Sequence, residues 1–168
     1  LTVAENGDLY ITESMNNKIY ILKYGFQEIE EFLKPIGFTF LNGITLSQDN
    51  KALFVSSTEG LLKIDVATKS YGVLPSEFTT APQPIDGLAF FQNSLIAHQS
   101  SLIRRFYLNH SLDSIIDQQI IDKDNLNSST TGEMGEEGWY YYIANSQIRS
   151  GVDYANKRIR PFDSLQEV

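Results

Sequence analysis

Two dipeptides in the 168-residue chain carry oxygen donors of the kind that hold a hard cation. Asn42-Gly43 opens the stretch LNGITLSQDNKALFVSS, and Asp86-Gly87 opens IDGLAFFQNSLIAHQS. An amide carbonyl and a carboxylate suit calcium or magnesium rather than zinc. A carboxylate can also take a proton from water. The competing reading is that both are turn dipeptides, chosen only because glycine tolerates a positive φ. Against it, neither joins two adjacent strands tightly; each ends a longer connection, KPIGFTFL and EFTTAPQPI.

The elements that must position these residues repeat along the chain. GDLYITES, KALFVSST, NSLIAHQS and WYYYIANS align so that Leu9, Leu53, Leu95 and Tyr141 share one place, at offsets of 44, 42 and 46 residues. Each stretch is preceded by a short apolar strand: LTVA, GITLS, GLAFF and, more weakly, GEM. In the first three units two more strands follow: KIYILK and FQEIEEFL, LLKIDV and SYGVLP, LIRRFYL and SIIDQQII. Turns such as ENGD and SQDN join them. A four-stranded antiparallel unit recurring every forty-odd residues is the signature of a propeller blade. Stacked blades cover each other's faces, which accounts for runs such as IYIL and YYYI that do not alternate. The expectation is therefore an all-β fold, a β-propeller of four-stranded antiparallel blades, preferred over a β-sandwich. It forms one partial domain with blades at about 1–41, 42–85, 86–130 and 131–168. In this frame Asn42, Asp86 and Thr131 head successive inner strands and belong to a polar ring at one mouth of the central channel.

Composition narrows the partners. Lys and Arg number 13 against 21 Asp and Glu, a net charge of −8 without a long basic cluster, which argues against nucleic acid or an anionic membrane surface. Cysteine is absent, so disulfide scaffolds and thiolate metal sites are excluded. No run of eighteen apolar residues offers a membrane span, and no signal-peptide pattern is present. The compartment stays open between cytoplasm and periplasm or secretion.

The two dipeptides at one-blade spacing resemble those of the senescence-marker-protein/gluconolactonase/regucalcin-like six-bladed propellers, and the resemblance runs from Leu1 to about Ser150. It implies a divalent metal, usually calcium, on the axis, with Asn42 as a ligand and Asp86 as both ligand and catalytic carboxylate. It implies hydrolysis of a small-molecule lactone or ester. A family Glu from the first blade, and an Asn at the head of the blade that opens with LTVAENGDLY, have no counterpart here. The alternative function is a non-catalytic propeller used for binding, which has no need of paired oxygen donors on its axis.

Other candidates are weaker. His98 lies within a strand and is read as packing or as channel lining alongside Thr131; His110, in the turn LNHSLD, reads as solvated. Two histidines and no G-x-S-x-G give a serine triad little support. TGEMGEEG has spaced glycines, but Glu133, Glu136 and Glu137 would repel phosphate. DKDNLNSSTTGE places Asp122, Asp124 and Glu133 like parts of a calcium loop, yet Leu126 and Asn127 break it and the flanks read as strands. Asn109 and Asn127 open glycosylation triplets. Glu13, Ser57, Gln99 and Asn145 share the end of the second strand, where a polar group usually satisfies a loop backbone. Leu1 enters within an inner strand, and LQEV would open a strand cut at Val168. The expectation is an open arc of about four blades from a longer six-bladed protein. Alone it would be inactive, bind calcium weakly and tend to self-associate through its open edges.

Overall fold

A computed structural model describes residues 1–78, 84–99, 101–123, 126, 130–135 and 138–144. Its strands fall into consecutive antiparallel sheets. Sheet 1 holds β1 (Thr2–Val3), β2 (Leu9–Glu13), β3 (Lys18–Leu22) and β4 (Glu30–Leu33). Sheet 2 holds β5 (Ile44–Leu46), β6 (Ala52–Ser57), β7 (Gly60–Asp65) and β8 (Tyr71–Val73). Sheet 3 holds β9 (Ile85–Phe90), β10 (Ser94–Gln99), β11 (Leu102–Leu108) and β12 (Ile115–Asp122). Sheet 4 pairs β13 (Gly132–Met134) with β14 (Tyr140–Tyr142). Within each sheet the strands are neighbours in chain order. The expected third strand of the last unit at LQEV, and Asn145, lie outside the described residues.

The sheets stack face to face. Strand β6 shows why the sequence does not alternate. Leu53 and Val55 point into the layer shared with sheet 1, beside Tyr10, Ile19, Ile21 and Phe32. Ala52 and Phe54 point into the layer shared with sheet 3, beside Leu95, Ala97 and Phe106. A third layer joins Ala89, Ile96 and Ile103 of sheet 3 to Met134 and Tyr140 of sheet 4. Leu53, Phe54 and Val55 are all fully buried; each such side chain contributes about 1.5–3 kcal/mol relative to exposure. Both faces of sheets 2 and 3 are covered. The outer face of sheet 1, with Leu9, Ile11, Tyr20 and Leu22, is half-buried.

Each successive pair of sheets shares an apolar layer, and among the described residues sheets 1 and 4 share none. The arrangement is an open arc of blade-like sheets. The first strands of the sheets lie side by side, β1 by β5, β5 by β9 and β9 by β13. Hairpin turns are local: Gly7 at φ 88° closes the β1–β2 link, and Asn50 at φ 58° closes the β5–β6 link.

Candidate functional site

Gly43 and Gly87 adopt no positive φ, unlike Gly7, Gly25, Gly37, Gly60 and Gly138. The turn reading of the two dipeptides therefore fails, and the reason for glycine is close approach. A Cβ on Gly43 would lie 3.0 Å from the Gly87 carbonyl carbon and 3.0 Å from the Leu88 nitrogen. A Cβ on Gly87 would lie 3.1 Å from the Thr130 oxygen and 3.1 Å from the Thr131 Cα. Each glycine admits the backbone of the following inner strand, so the heads of β5, β9 and β13 adjoin.

That approach sets Asn42 beside Asp86. The Asn42 Nδ2 donates to Asp86 Oδ1 at 2.8 Å, the convergence that the repeat frame leads one to expect. Both residues are half-buried. The pairing of β9 with β10 skips Asp86: His98 faces Gly87 and Gln99 faces Ile85. Asp86 is the extra residue of a β-bulge, a device that re-aims a side chain at a sheet rim. Burial raises its carboxyl above the ordinary aspartate range, and the hydrogen bond from Asn42 opposes that rise only in part.

Thr131 is exposed, next to Gly87 at the head of the fourth sheet. His98 has no exposed surface. Its ring packs edge-on against Tyr140 and Tyr142, at centroid distances of 6.0 and 5.7 Å. Burial lowers its pKa, against a hydrogen bond to the Thr131 backbone. His110 is an exposed turn residue. Glu13 accepts the backbone N–H groups of Met15 and Asn16, both at 2.8 Å, and the Ser57 hydroxyl donates to the Gly60 carbonyl at 3.0 Å, so both satisfy loop backbone.

Asn42 and Asp86 provide amide and carboxylate oxygens, and their chemistry fits a calcium-type ion. Their number falls short of the six to eight oxygens such an ion takes. Among the described residues no group of three or more His, Asp or Glu side chains is placed to hold a metal. Sequence reasoning found the pair through its spacing. It did not find the bulge at Asp86, which is a register feature that residue types do not announce, nor the hydroxyl groups of Thr12 and Ser56 that bond to the strand heads.

No family model matches the chain, and no curated protein does. Solved structures do. A calcium-binding protein, regucalcin, from Agrobacterium tumefaciens matches with a TM-score of 0.65 at 15% identity, over 94% of this chain and 56% of that one. A gluconolactonase from Xanthomonas campestris matches with a TM-score of 0.65 at 12% identity, over 85% of this chain and 52% of that one. A streptogramin B lyase matches with a TM-score of 0.62 at 18% identity, over 86% of this chain and 47% of that one. The chain spans about half the length of these structures, and at such identities the likeness is one of fold: this is the β-propeller fold that gluconolactonase and regucalcin also have.

Proposed function

We propose that the chain is part of a calcium-dependent lactone or ester hydrolase of the senescence-marker-protein/gluconolactonase/regucalcin-like kind. The observation that carries this is the 2.8 Å contact between Asn42 and Asp86 at adjoining strand heads. It brings together the two residues that the sequence resemblance singles out. The fold shared with a gluconolactonase and a calcium-binding regucalcin supports the reading.

In this reading Asn42 and Asp86 would hold the ion through their side-chain oxygens. When bound, the ion supplies Lewis-acid polarisation of the substrate carbonyl. The protein's own part falls to Asp86 and Asn42. Asp86 would accept a proton from the attacking water; the rise of its carboxyl by burial describes the ion-free protein, and a bound cation would oppose it. The Asn42 amide keeps the carboxylate aimed and partly offsets its desolvation. Apolar layers on both sides of sheets 2 and 3 keep the strand heads in place.

The test uses the full-length protein. Asp86→Ala should abolish hydrolysis of a panel of sugar and acyl lactones in calcium, with the circular dichroism spectrum kept, because a half-buried rim residue covers little apolar area. Equal turnover by variant and parent overturns the proposal. A second reading, a propeller that binds without catalysis, is favoured by the lack of a three-ligand group among the described residues. A full-length parent that neither binds calcium nor turns over any lactone would select it.

A further inference from the structure

The second strand of each of the first three sheets carries a polar residue that the proposed chemistry does not use. Thr12, Ser56 and His98 occupy one register position, three residues after Leu9, Leu53 and Leu95. Each reaches across to the next sheet. Thr12 Oγ1 donates to the Asn42 carbonyl at 2.6 Å. Ser56 Oγ donates to the Ile85 carbonyl at 2.7 Å. The His98 ring bonds the Thr131 backbone. The acceptors stand at the heads of β5, β9 and β13: Asn42 itself, the residue before Asp86, and Thr131. The side chain differs in the three sheets while the donor recurs, so what repeats is the hydrogen bond and not the residue type.

Ser56 is the centre of the arrangement. Its carbonyl accepts the Asn42 N–H at 3.1 Å, and its N–H donates to the Gly43 carbonyl at 2.8 Å. Its hydroxyl and the Gly43 N–H, at 3.3 Å, converge on the Ile85 carbonyl. These four bonds enclose the backbone that carries Asn42 on one side and Asp86 on the other. Ser56 is 3% exposed, so water does not replace its hydroxyl at little cost. Without that hydroxyl, the Ile85 carbonyl keeps the longer bond from Gly43, and the bulge that aims Asp86 loses its shorter anchor.

We propose that Ser56 is a positioning residue that, through the Ile85 carbonyl, holds Asp86 against Asn42, and that Thr12 does the same for Asn42 from the other side. The functional consequence rests on the hydrolase reading above; the geometry does not.

The experiment is NMR on the full-length protein with asparagine-selective ¹⁵N labelling, the Asn42 side-chain amide being assigned by its loss in Asn42→Gln. Ser56→Ala should move the Asn42 Nδ2 resonances toward free-amide values and speed their exchange with solvent at least tenfold. Ser56→Thr, which keeps the hydroxyl, should restore the parent signal. Ser94→Ala, at another fully buried serine, should leave the signal in place even if it lowers stability. If Ser56→Ala does not fold, Thr12→Val is the variant read, with the same expectation. An Asn42 signal unchanged in whichever of these variants is read, or changed equally by Ser94→Ala, overturns the proposal. A parent without calcium binding or lactone turnover would sink the hydrolase reading and leave this result standing.

Discussion

Gly43→Ala tests the close-approach explanation for the Asn-Gly dipeptide by the sign of a stability change. Gly43 has no positive φ, so alanine fits its backbone conformation. On that count alone the substitution would stabilise by about 0.4–1 kcal/mol, through lost freedom of the unfolded chain. The added Cβ, however, would lie 3.0 Å from Gly87 C, 3.0 Å from Leu88 N and 3.1 Å from Leu88 Cγ. Carbon contacts settle at roughly 3.5–4.0 Å, so β5 and β9 must part by about half an ångström or more. Two of the three opposing atoms are backbone and cannot rotate away. Overpacking of this kind costs about 1–3 kcal/mol. The net expectation is a loss of roughly 1–2 kcal/mol, together with a weakened Asn42–Asp86 hydrogen bond. The comparison variant is Gly72→Ala: no atom lies within 4 Å of its Cβ position and its φ is not positive, so it should be neutral or slightly stabilising. Gly37→Ala, with open space but φ 84°, reports backbone strain alone. Urea unfolding of the three variants gives the differences. A Gly43→Ala protein as stable as Gly72→Ala would refute the close-approach argument.

Phe54→Ala should cost about 3–5 kcal/mol, because Phe54 is fully buried and stacks on Phe90 at 5.8 Å between sheets 2 and 3; a shift in urea unfolding below 1 kcal/mol would contradict that layer. His98 is held toward its neutral form by burial, against its bond to the Thr131 backbone, with Tyr140 and Tyr142 packed on its ring. The unfolded chain therefore takes up the proton first. The stability this histidine contributes should be whole above about pH 6.5 and fall as pH drops toward its lower folded value, a slope that His98→Gln should remove from a pH series of melting temperatures. For Asp86 the sign is reversed: its raised carboxyl makes the charged form costly in the fold, so Asp86→Asn should melt higher than the parent at pH 7 and equal to it well below the ordinary aspartate pKa. Added calcium should raise the melting temperature of the full-length parent and not that of this variant.

The sheets were legible because a stacked sheet imposes the same demand in every repeat. Leu53 and Leu95 recur because each of these second strands needs an apolar residue facing the sheet before it, and Leu9 holds the same position on the outer face of sheet 1. Phe54 sits between Leu53 and Val55 because the same strand must face the sheet after it as well. Asn42 and Asp86 were legible through the spacing of their glycines. What could not be read was relational. The bulge at Asp86 depends on how β9 registers on β10. The donor role of Ser56 depends on which carbonyl of the next sheet lies opposite its hydroxyl. Glu13 and Ser57, one residue further along their strands than Thr12 and Ser56, point to their own loops. A shift of one position along a strand sends a side chain to the other face, and only the packed structure shows which of two adjacent polar residues crosses to the neighbouring sheet.

The fold and the site are therefore one construction at the strand heads. Gly43 lets β9 come close, and closeness is what puts Asp86 within reach of the residue before that glycine. Gly87 repeats the arrangement toward Thr131. A polar residue followed by glycine at the heads of β5 and β9 lets the head of the following inner strand come close, and at β5 this places Asn42 next to Asp86. Stability and site geometry must then respond differently to different changes. Substituting a glycine should disturb both, since the packing is the positioning. Substituting Asp86 should disturb the chemistry and relieve a desolvated charge, leaving the packing intact. Substituting Ser56 falls between the two, because its hydroxyl bonds the strand that carries Asp86 while its backbone belongs to the sheet that carries Asn42.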